Sequence, residues 1–180
     1  MNTKKYIQGM KFVKEHVMDN KTPYWILSGI IIASFGLMLF ASLGETATFD
    51  ETAHIPAGYS YIAYQDYRLN PEHPPLVKAL AGIPLALQNF KFPLDHPAWE
   101  GLNEQWAIGH AFFYESGNNP DAIFQWARLG PMLLVLVLTF FIYIWGRELF
   151  GKWWALLPAT LFGLSPSVLG HGHLVTTDIG

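Results

Sequence analysis

Two adjacent carboxylates, Asp50 and Glu51, are the residues of this sequence with the clearest capacity for chemistry. They follow a long apolar run, so they stand where that run would leave a membrane. Partial burial raises the pKa of a carboxylate, and a neighbouring cation lowers it. One of the two could therefore act as a general base toward an incoming hydroxyl, an effect typically worth ~10²–10⁴ in rate. Adjacent acids are common, and the alternative is a hydrated pair that only marks a helix end.

A second group of side chains could hold a divalent metal ion. Glu72 and His73 offer an oxygen and a nitrogen ligand, and His54, His171 and His173 could add nitrogen. Their spacing matches no standard metal signature such as H-E-x-x-H. The sequence therefore leaves a metal at Glu72 open, beside the simpler interpretation that these are interfacial histidines.

Positive charge that suits a phosphate comes from Lys78 and Arg128, the latter especially through paired contacts. The alternative is that both side chains extend toward lipid headgroups.

Several other classes of function are excluded by what the sequence lacks. The chain has no Cys, which excludes a disulfide framework and a cysteine nucleophile. It also lacks the P-loop, G-x-G-x-x-G and G-x-S-x-G motifs. The net charge of -3 and the absence of a basic stripe argue against a nucleic-acid partner.

Three apolar segments must position these residues, and they predict an all-α integral membrane protein. Of the 180 residues, 51% are hydrophobic and only 14% charged, which is low for a soluble domain. A hydrocarbon core of ~30 Å needs about 20 apolar residues. The predicted transmembrane helices cover 23–44, 129–146 and 153–170, the last bent by Pro158 and Pro166.

The second helix could begin before residue 129, and the first span could be either retained or cleaved. Asn119 suits a helix cap and Pro120 a first helical position, so the second helix could begin there. A cleaved signal peptide is the alternative for the first run. Because the apolar stretch exceeds the ~7–15 residues of such a signal, we favour a retained span.

Lysine and arginine placement predicts the orientation of a multi-pass cell-membrane protein. The connector 147–152 and the N-terminal tail 1–22 are rich in these residues, so both are predicted to be cytoplasmic. The loop 45–128 and the end 171–180 then face outward, which brings Asp50, Glu51, Arg128 and Asp178 to one membrane face. The tail lysines that support this orientation are Lys4, Lys5, Lys11, Lys14 and Lys21.

The outer loop is predicted to contain two or three short helices at the membrane interface. The stretch HIPAGYSYIAYQDY mixes aromatic with small residues, and Tyr favours the interface. Pro74 and Pro75 can start a second helix. A third covers about 102–115 and ends before the Gly117-Asn118-Asn119-Pro120 breaker.

The order of several motifs resembles the N-terminal third of the protein O-mannosyltransferase superfamily. FDE follows the first span, and PEHPPLVKAL, FQWARLG, GRELFG and LSPSVLGHGHLVTTD follow in turn from about Thr48 to Asp178. This superfamily belongs to the GT-C glycosyltransferases that use polyprenyl-phosphate sugars, and bacterial aminoarabinose transferases are similar relatives. The resemblance implies the N-terminal portion of a GT-C polytopic fold, with a bilayer, a lipid-linked donor and a hydroxyl-bearing acceptor as partners.

The resemblance also implies roles for single residues. Asp50 matches the catalytic base, and Glu51 would orient the acceptor or a cation. His73, Lys78 and Arg128 match residues near the donor phosphate. Glu72 matches a position where some relatives place a metal-binding acid, whereas mannosyltransferases more often have a hydrophobic residue there. Asp178 matches the acid that ends the third span, to which no role is assigned.

The sequence thus predicts an inverting membrane glycosyltransferase acting on a protein, lipid or glycan hydroxyl. The alternative is a non-catalytic membrane protein that binds a polyprenyl phosphate or a metal ion. A structural membrane segment without a site is a third interpretation. Because family members have many more spans, we expect Gly180 to end a fragment that is inactive by itself.

Overall fold

The computed structural model describes residues 21–88 and 90–179, and the helices among them are joined without any strand. The predicted all-α class is confirmed for this part of the chain. Lys4, Lys5, Lys11 and Lys14, on which the predicted orientation rests, lie outside the described residues.

Seven α-helices follow one another within these ranges, together with short 3-10 segments at Pro97–Glu100 and Thr177–Ile179. The helix α4 continues directly into a π-helical turn, Ala111–Glu115. The α-helices are α1 (Thr22–Ser42), α2 (Glu51–Ala63), α3 (Pro75–Ala86), α4 (Gln105–His110), α5 (Pro120–Phe150), α6 (Leu156–Gly163) and α7 (Pro166–His171).

Two of these helices, α1 and α5, are long and apolar enough to cross a membrane. They pack against each other, yet large apolar side chains remain exposed on both, such as Phe40 and Trp145. The side chain of Asn119 accepts hydrogen bonds from two backbone N–H groups of the first turn of α5. This cap explains why α5 begins well before the apolar run, as Asn119 and Pro120 predicted.

The segment predicted as a third span forms two short helices instead of one. α6 ends at Gly163, and α7 begins with Pro166 at its first position. Ser165, which precedes that proline, is extended, because the ring of a proline disfavours helical geometry in the residue before it. The prediction of one continuous helix over 153–170 is therefore not met, although α6 packs on both α1 and α5.

The helix α2 lies at the centre of the outer segment. Ten of its thirteen residues are buried, and it packs against α3 and α4. Gly58 and Gly82 lie where a Cβ atom would overlap a backbone carbonyl of the opposite helix, so α2 and α3 cross in backbone contact. The helices predicted in the outer loop exist, but protein rather than open interface covers most of α2.

Candidate functional site

The side chains of Asp50 and Glu51 have opposite environments although the residues are neighbours in sequence. Glu51 is the first residue of α2 and its side chain is completely buried. Asp50 precedes the helix, is exposed, and makes no side-chain capping bond. Successive helical residues point ~100° apart, so one carboxylate enters the core while the other lines a cavity. The structure therefore separates two acids that the sequence presented as a pair.

Glu51 forms a buried, two-pronged ion pair with Arg128 of α5. Arg128 Nε donates to Glu51 Oε1 at 2.9 Å, and Nη2 donates to Oε2 at 2.8 Å. Thr48 adds its backbone N–H and its hydroxyl to Oε2, and the backbone N–H of Val175 donates to Oε1. We call this group, centred on Glu51 and Arg128, the anchor.

All five N–H groups of Arg128 are engaged within the anchor. Besides the two bonds to Glu51, Nη1 donates to the carbonyls of Ser42 and Glu45 at 3.0 and 3.2 Å, and Nη2 to that of Thr46 at 3.0 Å. A guanidinium has five such donors and none is left over. In this arrangement Arg128 cannot donate to the phosphate that the resemblance assigns to it.

The charge of Glu51 is maintained by its partners. Burial by itself raises the pKa of this carboxyl, but the hydrogen bonds from Arg128, Thr48 and Val175 outweigh it and lower the pKa below its ordinary value. A carboxylate with a lowered pKa and no exposed surface is a poor general base toward a substrate. Its contacts instead join α2 and α5 to the segments 42–48 and 173–175.

A hydrogen bond between the side chains of His173 and Glu45 reinforces this connection. His173 is buried, and its Nδ1 lies 2.9 Å from the carbonyl of Leu169 while Nε2 lies 2.7 Å from Glu45 Oε2. A carbonyl can only accept, so Nδ1 donates to Leu169, and Nε2 shares a hydrogen bond with the carboxyl group of Glu45. His173 therefore has a structural partner rather than a metal.

Lys78 is also buried and fully bonded. Its Nζ donates to the backbone carbonyl and to Oδ1 of Asn70, each at 2.7 Å, and to the carbonyl of His73 at 2.8 Å. An ammonium has three donors, so none remains for a phosphate. Because no carboxylate bonds to it, burial lowers the pKa of Lys78 to about 8. Lys78 thus fixes the turn 70–73 that follows α2.

That turn forms one wall of a cavity of about 300 Å³ beside Asp50. We call it the Asp50 cavity. Four of the sequence candidates, which are Asp50, His54, Glu72 and His73, line it together with Asn70, Asn103, Gln105, Trp106 and Ala53. The Asp50 carboxylate accepts no hydrogen bond from any described residue. It is therefore the acid that remains available for chemistry.

His54 is a neutral acceptor at the cavity wall. Its Nδ1 donates to the carbonyl of Val175 at 3.0 Å, which leaves Nε2 with a lone pair. Burial lowers the pKa of His54 and keeps the ring neutral at physiological pH. The ring meets His73 edge to face, with the centroids 5.2 Å apart.

The metal site that the sequence left open at Glu72 has no complete ligand set in the part of the chain that the structure describes. No three His, Asp or Glu side chains within it are placed to hold one ion, although four line the cavity. Glu72 Oε1 instead accepts a hydrogen bond from Asn103 Nδ2. Asp178 is exposed in the last 3-10 segment and does not line the cavity.

Five residues of the cavity were not predicted from the sequence, namely Ala53, Asn70, Asn103, Gln105 and Trp106. Neutral amides belong to no motif, and their role depends on α4 packing against α2. A usable signal was the polar start, Asn103 to Gln105, of a segment that then becomes apolar and aromatic.

Comparisons with protein-family models, with curated proteins and with solved structures each gave no match to this chain. What can be said of its class therefore rests on its own residues: residues 21–88 and 90–179 are all-helical, and two of their helices are able to cross a membrane. Next to the end of the first of them lies a polar cavity with one unbonded carboxylate.

Proposed function

We propose that this chain carries the catalytic base of an inverting membrane glycosyltransferase that takes sugar from a polyprenyl phosphate on the outer membrane face. The observation that supports it most is the carboxylate of Asp50, exposed and without a hydrogen bond from the described residues, in a polar cavity beyond α1. A lipid-linked donor cannot leave the bilayer, so its sugar is accessible at this depth.

In the proposed step, Asp50 takes the proton of the acceptor hydroxyl. The hydroxyl oxygen forms its bond to the anomeric carbon from one face of the sugar. The bond from that carbon to the phosphate oxygen breaks on the other face, and the phosphate leaves with the electron pair. A single displacement of this kind inverts the anomeric centre, and the proton remains on Asp50 until solvent removes it.

The proposal revises the roles of the neighbouring residues. Glu51 and Arg128 hold the cavity in place through the anchor, and Lys78 holds its wall. His73 lines the cavity and is exposed, so it stays a candidate for contact with the donor. Since the N–H groups of Lys78 and Arg128 are all engaged, neither side chain stabilises the phosphate in this arrangement. The three-span, outward-facing topology is part of this proposal.

The alternative is a non-catalytic membrane protein that binds a polyprenyl phosphate or a metal ion. The engaged donors of Lys78 and Arg128 do not discriminate between the two functions, because both need a cation for the phosphate. The base does discriminate, since only the enzyme needs Asp50 to accept a proton.

The test is transfer of radiolabelled sugar from polyprenyl phosphates by membranes that contain the full-length protein. Asp50→Asn keeps the size and shape of the side chain but removes the base. We expect the rate to fall by at least ~10², in the range typical for loss of a general base. Asp121→Asn, an exposed acid in the first turn of α5, is the matched control and should keep its rate. Near-wild-type transfer by Asp50→Asn would refute the proposal.

A further inference from the structure

Two buried amide oxygens of the Asp50 cavity lack a hydrogen-bond partner among the described residues. They are Asn103 Oδ1 and Gln105 Oε1. Gln105 is 94% buried, because only 6% of its surface is exposed. A buried acceptor without a donor costs about 1–3 kcal/mol, so such atoms normally accept from a water molecule or a bound ligand. The cavity therefore presents two acceptors that the hydroxyl groups of a ligand can satisfy.

The orientation of Asn103 is fixed by its other contacts. Its Nδ2 donates to Glu72 Oε1, so a flipped amide would place oxygen against a carboxylate. Its backbone has a φ of 62°, in the left-handed region where Asn and Gly are the common residues. Its N–H donates to the carbonyl of Arg68 at 2.8 Å. The backbone and Glu72 together hold Oδ1 as an acceptor at the cavity wall.

The charge of the cavity selects against anions. Among the residues that the structure describes, the lining contains the carboxylates of Asp50 and Glu72 but neither Lys nor Arg. A phosphate here would face two negative groups and two carbonyl-type oxygens without a cation. A ligand rich in O–H donors instead satisfies each of these acceptors. The phosphate and the ring of a sugar phosphate would therefore occupy different places.

One side of the cavity is aromatic. Trp106 is 43% exposed, and its ring lies 4.4 Å from that of Phe49, which is itself exposed. A sugar ring has hydroxyls at its edge and an apolar face of C–H groups. An aromatic surface beside a few directed polar groups is the usual construction of a site for such an amphipathic ring.

We propose that the Asp50 cavity is a subsite for one uncharged, hydroxyl-rich ring that excludes phosphate. Asn103 and Gln105 accept its hydroxyl protons, and Trp106 covers one face. A volume of about 300 Å³ is at the small end of the ~300–1,000 Å³ of ligand pockets, which fits one monosaccharide. The proposal rests on the proposed function only in placing the ring next to Asp50. The ring belongs to the donor sugar or to a glycan acceptor.

Binding is tested without turnover. The full-length protein in lipid nanodiscs is titrated with methyl α-mannopyranoside and methyl α-glucopyranoside, and binding of each glycoside is followed by saturation-transfer NMR with and without inorganic phosphate as an anionic competitor. We expect at least one glycoside to bind and phosphate not to compete with it. Failure of both glycosides to bind, or competition by phosphate, would overturn the proposal.

Variants then locate the binding. Gln105→Leu removes one acceptor, and Asn103→Gly removes the other while retaining a residue suited to positive φ. Each should weaken glycoside binding about tenfold, as expected for one lost hydrogen bond.

Two further variants serve as controls. Gln105→Glu keeps an acceptor at this position and should bind within about threefold of wild type, which separates loss of the acceptor from loss of folding. Gln88→Leu, outside the cavity, is the control. Unchanged binding by both acceptor variants would contradict the assignment.

The transfer assay distinguishes the two sources of the ring. If the ring is the donor sugar, Gln105→Leu raises the KM for donor, and if it is an acceptor glycan, the KM for acceptor rises. A change in neither, with transfer intact, removes the subsite but leaves the transferase proposal standing. If the protein binds a glycoside but transfers no sugar, the subsite stands and the transferase proposal fails.

Discussion

The anchor and the Asp50 cavity are adjacent regions built on the same turn of α2, and they use polar groups in opposite ways. In the anchor every donor of Arg128 and both oxygens of Glu51 are bonded inside the protein. In the cavity Asp50, Asn103 and Gln105 keep acceptor oxygens without donors from the described residues. A bonded and buried charge stabilises a fold, whereas an unbonded acceptor next to open space is suited to a ligand. Adjacent acids can therefore differ completely in role.

The anchor also explains how the cavity keeps its shape. It fixes the start of α2 to α5 and to the loop 42–48, and Val175 connects it to His54 at the cavity wall. Lys78 fixes the opposite wall at the turn 70–73. Substitutions in the anchor, at Lys78 and at Asp50 should therefore destabilise the protein by successively smaller amounts.

The largest effect is expected in the anchor. Glu51→Gln leaves the charge of Arg128 buried without its counter-ion, and breaking such a pair costs about 3–5 kcal/mol. Thermal unfolding in detergent measures the loss. Glu148→Gln is the matched control, since Glu148 pairs with Arg147 at 2.8 Å near the surface, where such pairs contribute ~0–1 kcal/mol. Equal losses for the two variants would show that the anchor is not structural.

An intermediate effect is expected at Lys78. Lys78→Met removes a costly buried charge but leaves the carbonyls of Asn70 and His73 without donors. We expect a net loss of about 1–3 kcal/mol in unfolding free energy, the usual cost of an unbonded buried polar group. A variant as stable as the wild type would mean that the turn 70–73 does not depend on this lysine.

The pH dependence of stability gives an independent test of the burial of Lys78. The folded pKa of Lys78 is about 8, below the ordinary 10.5. Between these values the unfolded chain holds a proton that the folded chain has released, so the contribution of Lys78 to stability rises with pH over this window. Lys78→Met should lack this rise. An identical pH profile for the two proteins would contradict the burial of the charged group.

The smallest effect on stability is expected at Asp50. The Asp50 side chain is exposed and makes no hydrogen bond with the described residues, so Asp50→Asn should change the free energy of unfolding by less than about 0.5 kcal/mol. Thermal unfolding in detergent, measured on Asp50→Asn and Glu51→Gln side by side, checks this value. A loss close to that of Glu51→Gln would place Asp50 within the anchor.

Local patterns were sufficient to predict some elements but not others. The apolar runs predicted α1 and α5, and Asn119 and Pro120 predicted where α5 starts. The break before Pro166 was not predicted, because a proline inside an apolar run indicates a bend as readily as a helix end. The division between Asp50 and Glu51 depends on Arg128, 77 positions away in sequence. No local pattern contains such a partner.

The roles of the two cations could not be predicted from local sequence either. Lys78 and Arg128 have the residue types that bind phosphate, and the resemblance placed both near the donor phosphate. Their burial and their carbonyl partners arise from the packing of α2 against α3 and of the loop 42–48 against α5. Asn103 and Gln105, in contrast, have residue types without a signature. They became candidates only because their oxygens lie unbonded in a cavity.

The central claim is that Asp50 performs chemistry while Glu51 maintains structure. The most direct measurement is the rate of sugar transfer per folded molecule for Asp50→Asn in the full-length protein, with the folded fraction determined on the same sample. We predict a wild-type folded fraction and a rate lower by at least ~10². A folded Asp50→Asn protein that transfers sugar at the wild-type rate would contradict the claim.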